Sequence, residues 1–278
     1  MLKKILYYIL ITLVIVFIIL IYSRFIGTKG LKTYEYQVKS NIEESYDGLK
    51  IIHFSDLHYK KVITEKRVKD LIIEINKNKP DIVIFTGDLL DKDYQLKNKD
   101  INFLIDQLSK IESVYGTYAI LGDCDYQDLD TINNIYIQSN ITLLDNNYTI
   151  IHNQNNDKIL ITGISSYLEN KANITNIKLP NENIKEKIYL IHEPDYIPTI
   201  LNNNKDISMI LSGHSINGSI NIPLIKQLLL PNGAKQYYKP YYNLNNTNIY
   251  ISNGIGVNNI NFRLFNTPSI NLYRLKTK

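Results

Sequence analysis

Six residues of a kind that bind metal ions stand where apolar runs end. "LKIIHFSDLH" (49–58) ends in Asp56 and His58, and "DIVIFTGDLLD" (81–91) in Asp88, followed by Asp91. "TYAILGDCD" (117–125) ends in Asp123, "KIYLIHEPD" (187–195) in His192, and "ISMILSGHS" (207–215) in His214. Mixed carboxylate and imidazole donors suit Mn, Fe, Zn or similar ions. The set is too large for one tetrahedral ion, and a single cysteine excludes a thiolate-rich zinc module. A carboxylate shared by two ions about 3.5–4 Å apart is the design of a two-metal hydrolase, and two divalent ions are the cofactor this set implies. The glycines before Asp88, Asp123 and His214 let the backbone turn sharply beside such ions.

The runs themselves are Ile/Leu/Val-rich stretches of four to six residues, the pattern of strands buried on both faces. Helical patterns separate several of them. Residues 64–81 place Val68, Leu71, Ile72 and Ile75 on one stripe, with Thr64 as cap and Pro80 beyond the end. Residues 98–113 form a second stripe, and 193–203 a short third. Alternating strands and helices predict an α/β layered fold, with ligands beyond the carboxyl ends of the strands.

Size and composition set the rest. The chain has 278 residues, 44% hydrophobic and 21% charged, an ordinary balance for a globular chain. Two parts are expected: a membrane anchor over 1–30 and one domain over 31–278, long enough for one large core. The uncharged run from Ile5 to Ser23 would span about 28 Å as a helix, close to the ~30 Å hydrocarbon core of a bilayer. No small-x-small cleavage site follows it, which favours an uncleaved single-pass anchor and makes the lipid bilayer a partner. Lys3 and Lys4 on one side nearly balance Arg24, Lys29 and Lys32 on the other; the domain is expected on the extracytoplasmic side. A net charge of +4 without a clustered basic face argues against nucleic acid.

Other polar residues have plainer readings. His53 lies mid-strand and is expected to be a satisfied core or surface histidine. His152 sits in the Asn-rich stretch 144–157, read with 201–206 as surface loop. Glu193 is expected to start a helix. Cys124 is flanked by Asp123 and Asp125, whose charges disfavour a thiolate nucleophile.

The order "SDLH", "GDLLD", "GDCD", "IHEP", "GHSI" resembles the calcineurin-like metallophosphoesterases, in particular a bacterial branch with an N-terminal anchor or export signal. The opening "GLKIIHFSDLH" and the closing 230–275, with a "GIG" turn and an arginine-containing strand after it, are similar to that branch. The resemblance implies a four-layer α/β/β/α sandwich with metals at the strand ends. It implies that Asp56 and His58 bind the first ion, that Asp88 bridges both, and that Asp123, His192 and His214 bind the second. Asp91 would orient a ligand.

Four positions depart from the family pattern. Asp123 stands for Asn and keeps an oxygen donor. Cys124 stands for the histidine that assists the leaving group, which leaves Cys124 and the following Asp125 as the catalytic candidates; lost acid–base help typically costs about 10²–10⁴-fold. Ile216 stands for the last histidine of G-H-x-H and removes a first-ion ligand; Asn217 cannot be assumed to replace it, and Ser219 stands where this branch has Gln. The expectation is a membrane-anchored, metal-dependent phosphoesterase of reduced activity, acting on a phosphorylated substrate such as a lipid-linked one. The alternative is a degenerate relative that binds a phosphorylated ligand or a partner without catalysis.

Overall fold

In the computed structural model the strands form two six-stranded sheets that face each other. The structure describes residues 1–278 except 93, 205, 224, 258 and 259, so 205 of the Asn-rich patch and 258–259 of the closing segment lie outside the described residues. In chain order, the first part runs α1 (Leu2–Phe25), β1 (Lys32–Ser40), β2 (Lys50–Phe54), α2 (Glu65–Lys77), β3 (Ile82–Phe85), α3 (Asn98–Leu108), β4 (Thr117–Ala119), α4 (Leu129–Gln138) and β5 (Ile141–Leu143). The second part runs β6 (Asn147–His152), β7 (Lys158–Gly163), β8 (Glu186–Ile191), α5 (Ile197–Asn203), β9 (Met209–Ser212), α6 (Ile225–Leu229), β10 (Tyr241–Leu244), β11 (Thr247–Ile251) and β12 (Ser269–Thr277). The sheet orders are β1-β12-β2-β3-β4-β5 and β10-β11-β9-β8-β7-β6.

Strand alternation builds the layers, because successive side chains point to opposite faces. On β2, Ile52 and Phe54 pack outward with Val68 and Leu71 of α2, Leu104 of α3 and Ile132 of α4. Ile51 points inward, with Ile82 and Ile84 of β3, against Ile188 and Leu190 of β8. Tyr189 and Ile191 on the far face of β8 pack with Ile197 and Ile200 of α5. Helix, sheet, sheet and helix therefore follow in order, and the expected four-layer α/β/β/α sandwich is the fold.

The expected helices form with shorter ends. Thr64 caps α2 by accepting from the Arg67 N–H at 3.4 Å, and α3 stops at Leu108 rather than 113. The 193–203 helix begins as a 3₁₀ turn, Pro194–Tyr196, with Glu193 before it. Two loop readings need correction. Residues 147–152 of the Asn-rich stretch form the edge strand β6, paired antiparallel with β7, and His152 is its exposed last residue. "YTII" supplies enough β-branched surface to pair with β7 despite its polar flanks. Residues 201–203 of the second Asn-rich patch are the end of helix α5. The arginine-containing strand expected after the "GIG" turn is β12, which carries Arg274.

Helix α1 is long and apolar enough to cross a membrane, and its side chains are exposed along most of its length. Its last turn is seated on the domain: the Arg263 N–H donates to Ser23 O at 2.9 Å. A Cβ on Gly27 would lie 1.9 Å from the Arg263 carbonyl oxygen, so only glycine permits this contact.

One buried acid lies far from the strand-end residues. Glu186 opens β8 with 1% exposure and accepts from the Ser40 hydroxyl. Burial pushes its carboxyl up from 4.5 to about 7, against the opposing hydrogen bonds of Ser40 and Ser208. The folded state therefore holds a proton that the unfolded chain releases, and stability falls as pH rises through the window from 4.5 to about 7. That gap corresponds to about 3 kcal/mol. Urea unfolding across this range should show the decline in the wild-type chain and a flatter profile in Glu186→Gln, whose amide is neutral throughout.

Candidate metal centre

Strands β2, β3 and β4 of one sheet and β8, β9 and β11 of the other end at the same edge. Backbone bonds stitch these ends together. The Asp56 N–H donates to Gly87 O (2.9 Å), His58 N–H to Asp88 O (3.1 Å), and Gly213 N–H to His192 O (3.1 Å). The two sheets are joined where the Gly256 N–H donates to Asp56 O at 2.7 Å. The turns are strained. Asp56, His58, Asp88 and His214 all hold positive φ, between 43° and 61°, which non-glycine residues rarely adopt. Such strain persists only where the surroundings impose it, and it clusters at functional sites. A Cβ on Gly122 would lie 2.1 Å from Asp88 Oδ1, so the glycine before Asp123 lets the β3 and β4 turns touch.

The six expected metal ligands converge. Asp88 Oδ2 lies 3.5 Å from His58 Nε2 and 3.3 Å from His192 Nε2. Asp123 Oδ1 lies 3.6 Å from His192 Nε2 and 3.1 Å from His214 Nδ1. Asp56 Oδ1 lies 3.8 Å from His58 Nε2 and 4.0 Å from His192 Nε2. The opposite edges of two rings are held by carbonyls: His192 Nδ1 by Thr86 O (2.5 Å) and His214 Nε2 by Asn232 O (2.6 Å). Such bonds fix the tautomer and aim the remaining nitrogen inward.

The inward atoms test whether metal fits. Asp56 Oδ1, both ring nitrogens of His58, Asp88 Oδ2, Asp123 Oδ1 and His192 Nε2 are buried without a hydrogen bond among the described residues. Each such atom ordinarily costs about 1–3 kcal/mol, and here they point at one another. Divalent cations would satisfy them together. The donors fall into two groups with ligand atoms within 4.8 Å of one another: Asp88, Asp123, His192 and His214, and His58, Asp88 and Cys124. Asp88 belongs to both.

The charges agree with a cation site. Burial alone would push Asp123 up, but His192 and His214 outweigh it and hold the carboxyl below its ordinary range. Burial likewise lowers His58 and His192, and the neighbouring aspartates reverse this and raise both. Lys92, which sequence reasoning missed, reaches Asp123 Oδ2 at 2.8 Å from the solvent side. Nothing in "GDLLDK" distinguishes that lysine from an ordinary surface one.

The other expected residues take varied places. Asp125 is fully buried and accepts from the backbone N–H groups of Asp88 (2.9 Å), Leu89 (2.8 Å), Gly122 (2.9 Å) and Leu90 (3.4 Å). Its oxygens brace the two turns from below through these backbone bonds. Burial and the nearby Asp88 raise its carboxyl to about 7. Cys124 is 5% exposed, and its N–H donates to Asp88 Oδ1 at 2.9 Å. Asp91 accepts from Lys61 Nζ at 3.0 Å. Glu193 is engaged by Ser166 and by the Tyr167 N–H. His53 is the satisfied core histidine it was expected to be, bonded to the Tyr273 hydroxyl (3.1 Å) and to Thr86 Oγ1 (2.9 Å). Ile216 is buried at φ 42°, against Gly254 and near Asp56. The Asn217 amide oxygen accepts from Lys226 Nζ at 2.5 Å.

A two-sheet sandwich with aspartates and histidines crowded at its strand ends is the architecture of a metallophosphoesterase. The family model for calcineurin-like phosphoesterases matches residues 49–253, most of the chain, and the chain belongs to this family. The uncharacterized metallophosphoesterase YkuE of Bacillus subtilis is 27% identical over 259 residues, covering 92% of this chain and 89% of that protein. The transmembrane protein with metallophosphoesterase domain of Bos taurus is 26% identical, covering 79% of this chain and 51% of that protein. A solved calcineurin-like phosphoesterase, YfkN of Bacillus subtilis, aligns with a TM-score of 0.46 at 15% identity, over 74% of this chain and 81% of that one.

Proposed function

We propose that this chain is a membrane-anchored hydrolase of phosphoric esters or pyrophosphates, working with two divalent ions at the β2/β3/β4–β8/β9 edge. The observation that carries the reading is the pair of donor groups that share Asp88. Asp56, His58 and Asp88 would hold the first ion; Asp88, Asp123, His192 and His214 would hold the second. Such ions, when bound, supply Lewis acidity to a phosphoryl group and lower the pKa of water. The protein's own part is positioning. Asp88 fixes the spacing of the two ligand groups, Thr86 and Asn232 set the imidazole tautomers, and Asp125 holds the turns in register. Lys92, more than half exposed beside Asp123, is placed to meet the negative charge of an incoming phosphate.

The anchor supports a substrate at the bilayer surface: a phospholipid, a nucleotide-linked lipid precursor or an envelope phosphodiester. The degenerate alternative draws on Ile216 and Cys124, which remove a ligand and an acid–base group. The two readings separate in one experiment. The full chain in detergent, loaded with Mn²⁺, is expected to hydrolyse a chromogenic phosphodiester well above a His58→Ala control. Equal rates for both, across several metals and esters, would leave the binding-only reading.

A further inference from the structure

We infer that Cys124 is a thiolate ligand of the ion on the His58 side, supplying the donor that Ile216 does not. This rests on the two-ion reading above and deepens it.

The replacement at 216 cannot be repaired locally. Ile216 brings hydrocarbon to the wall beside Asp56, and its neighbour's amide oxygen is taken up by Lys226. The first-ion side then has Asp56, His58 and the shared Asp88. His58 is 1% exposed, and among the described residues neither of its ring nitrogens has a hydrogen bond, which leaves it able to bind an ion from this side. The chain's only cysteine lies in that space. Its sulfur is within 4.8 Å of the ligand atoms of both His58 and Asp88. With metal–sulfur near 2.3 Å and metal–nitrogen near 2.1 Å, two donors on one tetrahedral ion stand about 3.6 Å apart. Sulfur and imidazole would draw together as the ion binds. Cys124 is already tethered, since its N–H is bonded to the Asp88 carboxylate.

The chemistry balances without a redox step. The thiol gives its proton to solvent and the sulfur lone pair forms the bond to the ion. In the metal-free chain, burial and then Asp88, Asp123 and Asp125 hold Cys124 as a thiol. A bound cation reverses the local field, as it does for coordinating thiols generally. A soft donor in this position favours Zn, Fe(II) or Co over Mg or Mn on the His58 side.

Cobalt reads this directly. The full chain in detergent is stripped with chelator and titrated with Co²⁺, with absorbance and bound cobalt recorded together. The wild type should bind two ions and develop a near-ultraviolet thiolate-to-cobalt charge-transfer band. Cys124→Ser should lose the band and bind the second equivalent at least tenfold more weakly. Adding Ile216→His to that variant should restore the second equivalent without the band. Circular dichroism of each metal-free variant checks folding. Two bound cobalt ions without the band, a wild type that never binds a second, or a band that survives Cys124→Ser would overturn the inference. A chain that shows the band but hydrolyses no ester would sink the proposed activity and leave the ligation standing.

Discussion

Asp88→Asn should reduce bound metal from two ions to one or none and lower phosphodiester hydrolysis by at least about 10³-fold. Asp88 lies between the two donor groups, with Oδ2 within 3.5 Å of both His58 and His192. The amide keeps the volume and one oxygen, but it removes the charge that offsets two cations and presents an N–H₂ toward one of them. Metal-ion catalysis supplies several kcal/mol, and each 1.36 kcal/mol is tenfold in rate, which sets the size of the loss. Elemental analysis and initial rates on one preparation check both halves. Full metal content with lost activity would mean that Asp88 acts on substrate and not as the shared ligand.

Asp125→Ala should destabilise the metal-free domain by about 3–5 kcal/mol, the cost of leaving several buried backbone donors unsatisfied at about 1–3 kcal/mol each. The fully buried carboxylate accepts from four backbone N–H groups that belong to the two turns carrying Asp88 and Asp123. Removing it strands those donors and frees the turns to separate. Asp125→Asn keeps the volume but turns an N–H₂ toward at least one N–H, and should fall between wild type and Ala. Urea unfolding of the metal-free chain measures both. A loss under 1 kcal/mol in the Ala variant would show that water or rearranged backbone satisfies the turns.

Much of this arrangement is legible in the residues. The Ile/Leu runs before Asp56, Asp88, Asp123, His192 and His214 mark buried parallel strands because both faces of each strand meet hydrocarbon. The acids and imidazoles after them had to lie together because parallel strands bring their carboxyl ends to one edge. Strand β6 was not legible, since Asn147 and His152 at its ends read as loop and only pairing with β7 orders the middle. The role of Asp125 was hidden for a different reason. Adjacent in sequence to Cys124, it turns away from the site, and a 3₁₀ turn over Asp123–Asp128 makes that reversal. Lys92 and the Arg263 contact with Ser23 depend on tertiary placement that no local pattern carries.

The proposed chemistry requires two ions sharing Asp88. Anomalous diffraction from crystals of the full chain grown with Zn²⁺ or Co²⁺ tests it most directly. Two peaks about 3.5–4 Å apart, with Asp88 between them and His58 and His192 on opposite sides, are the predicted result. A single peak held only by Asp123, His192 and His214, with His58 turned away, would contradict it.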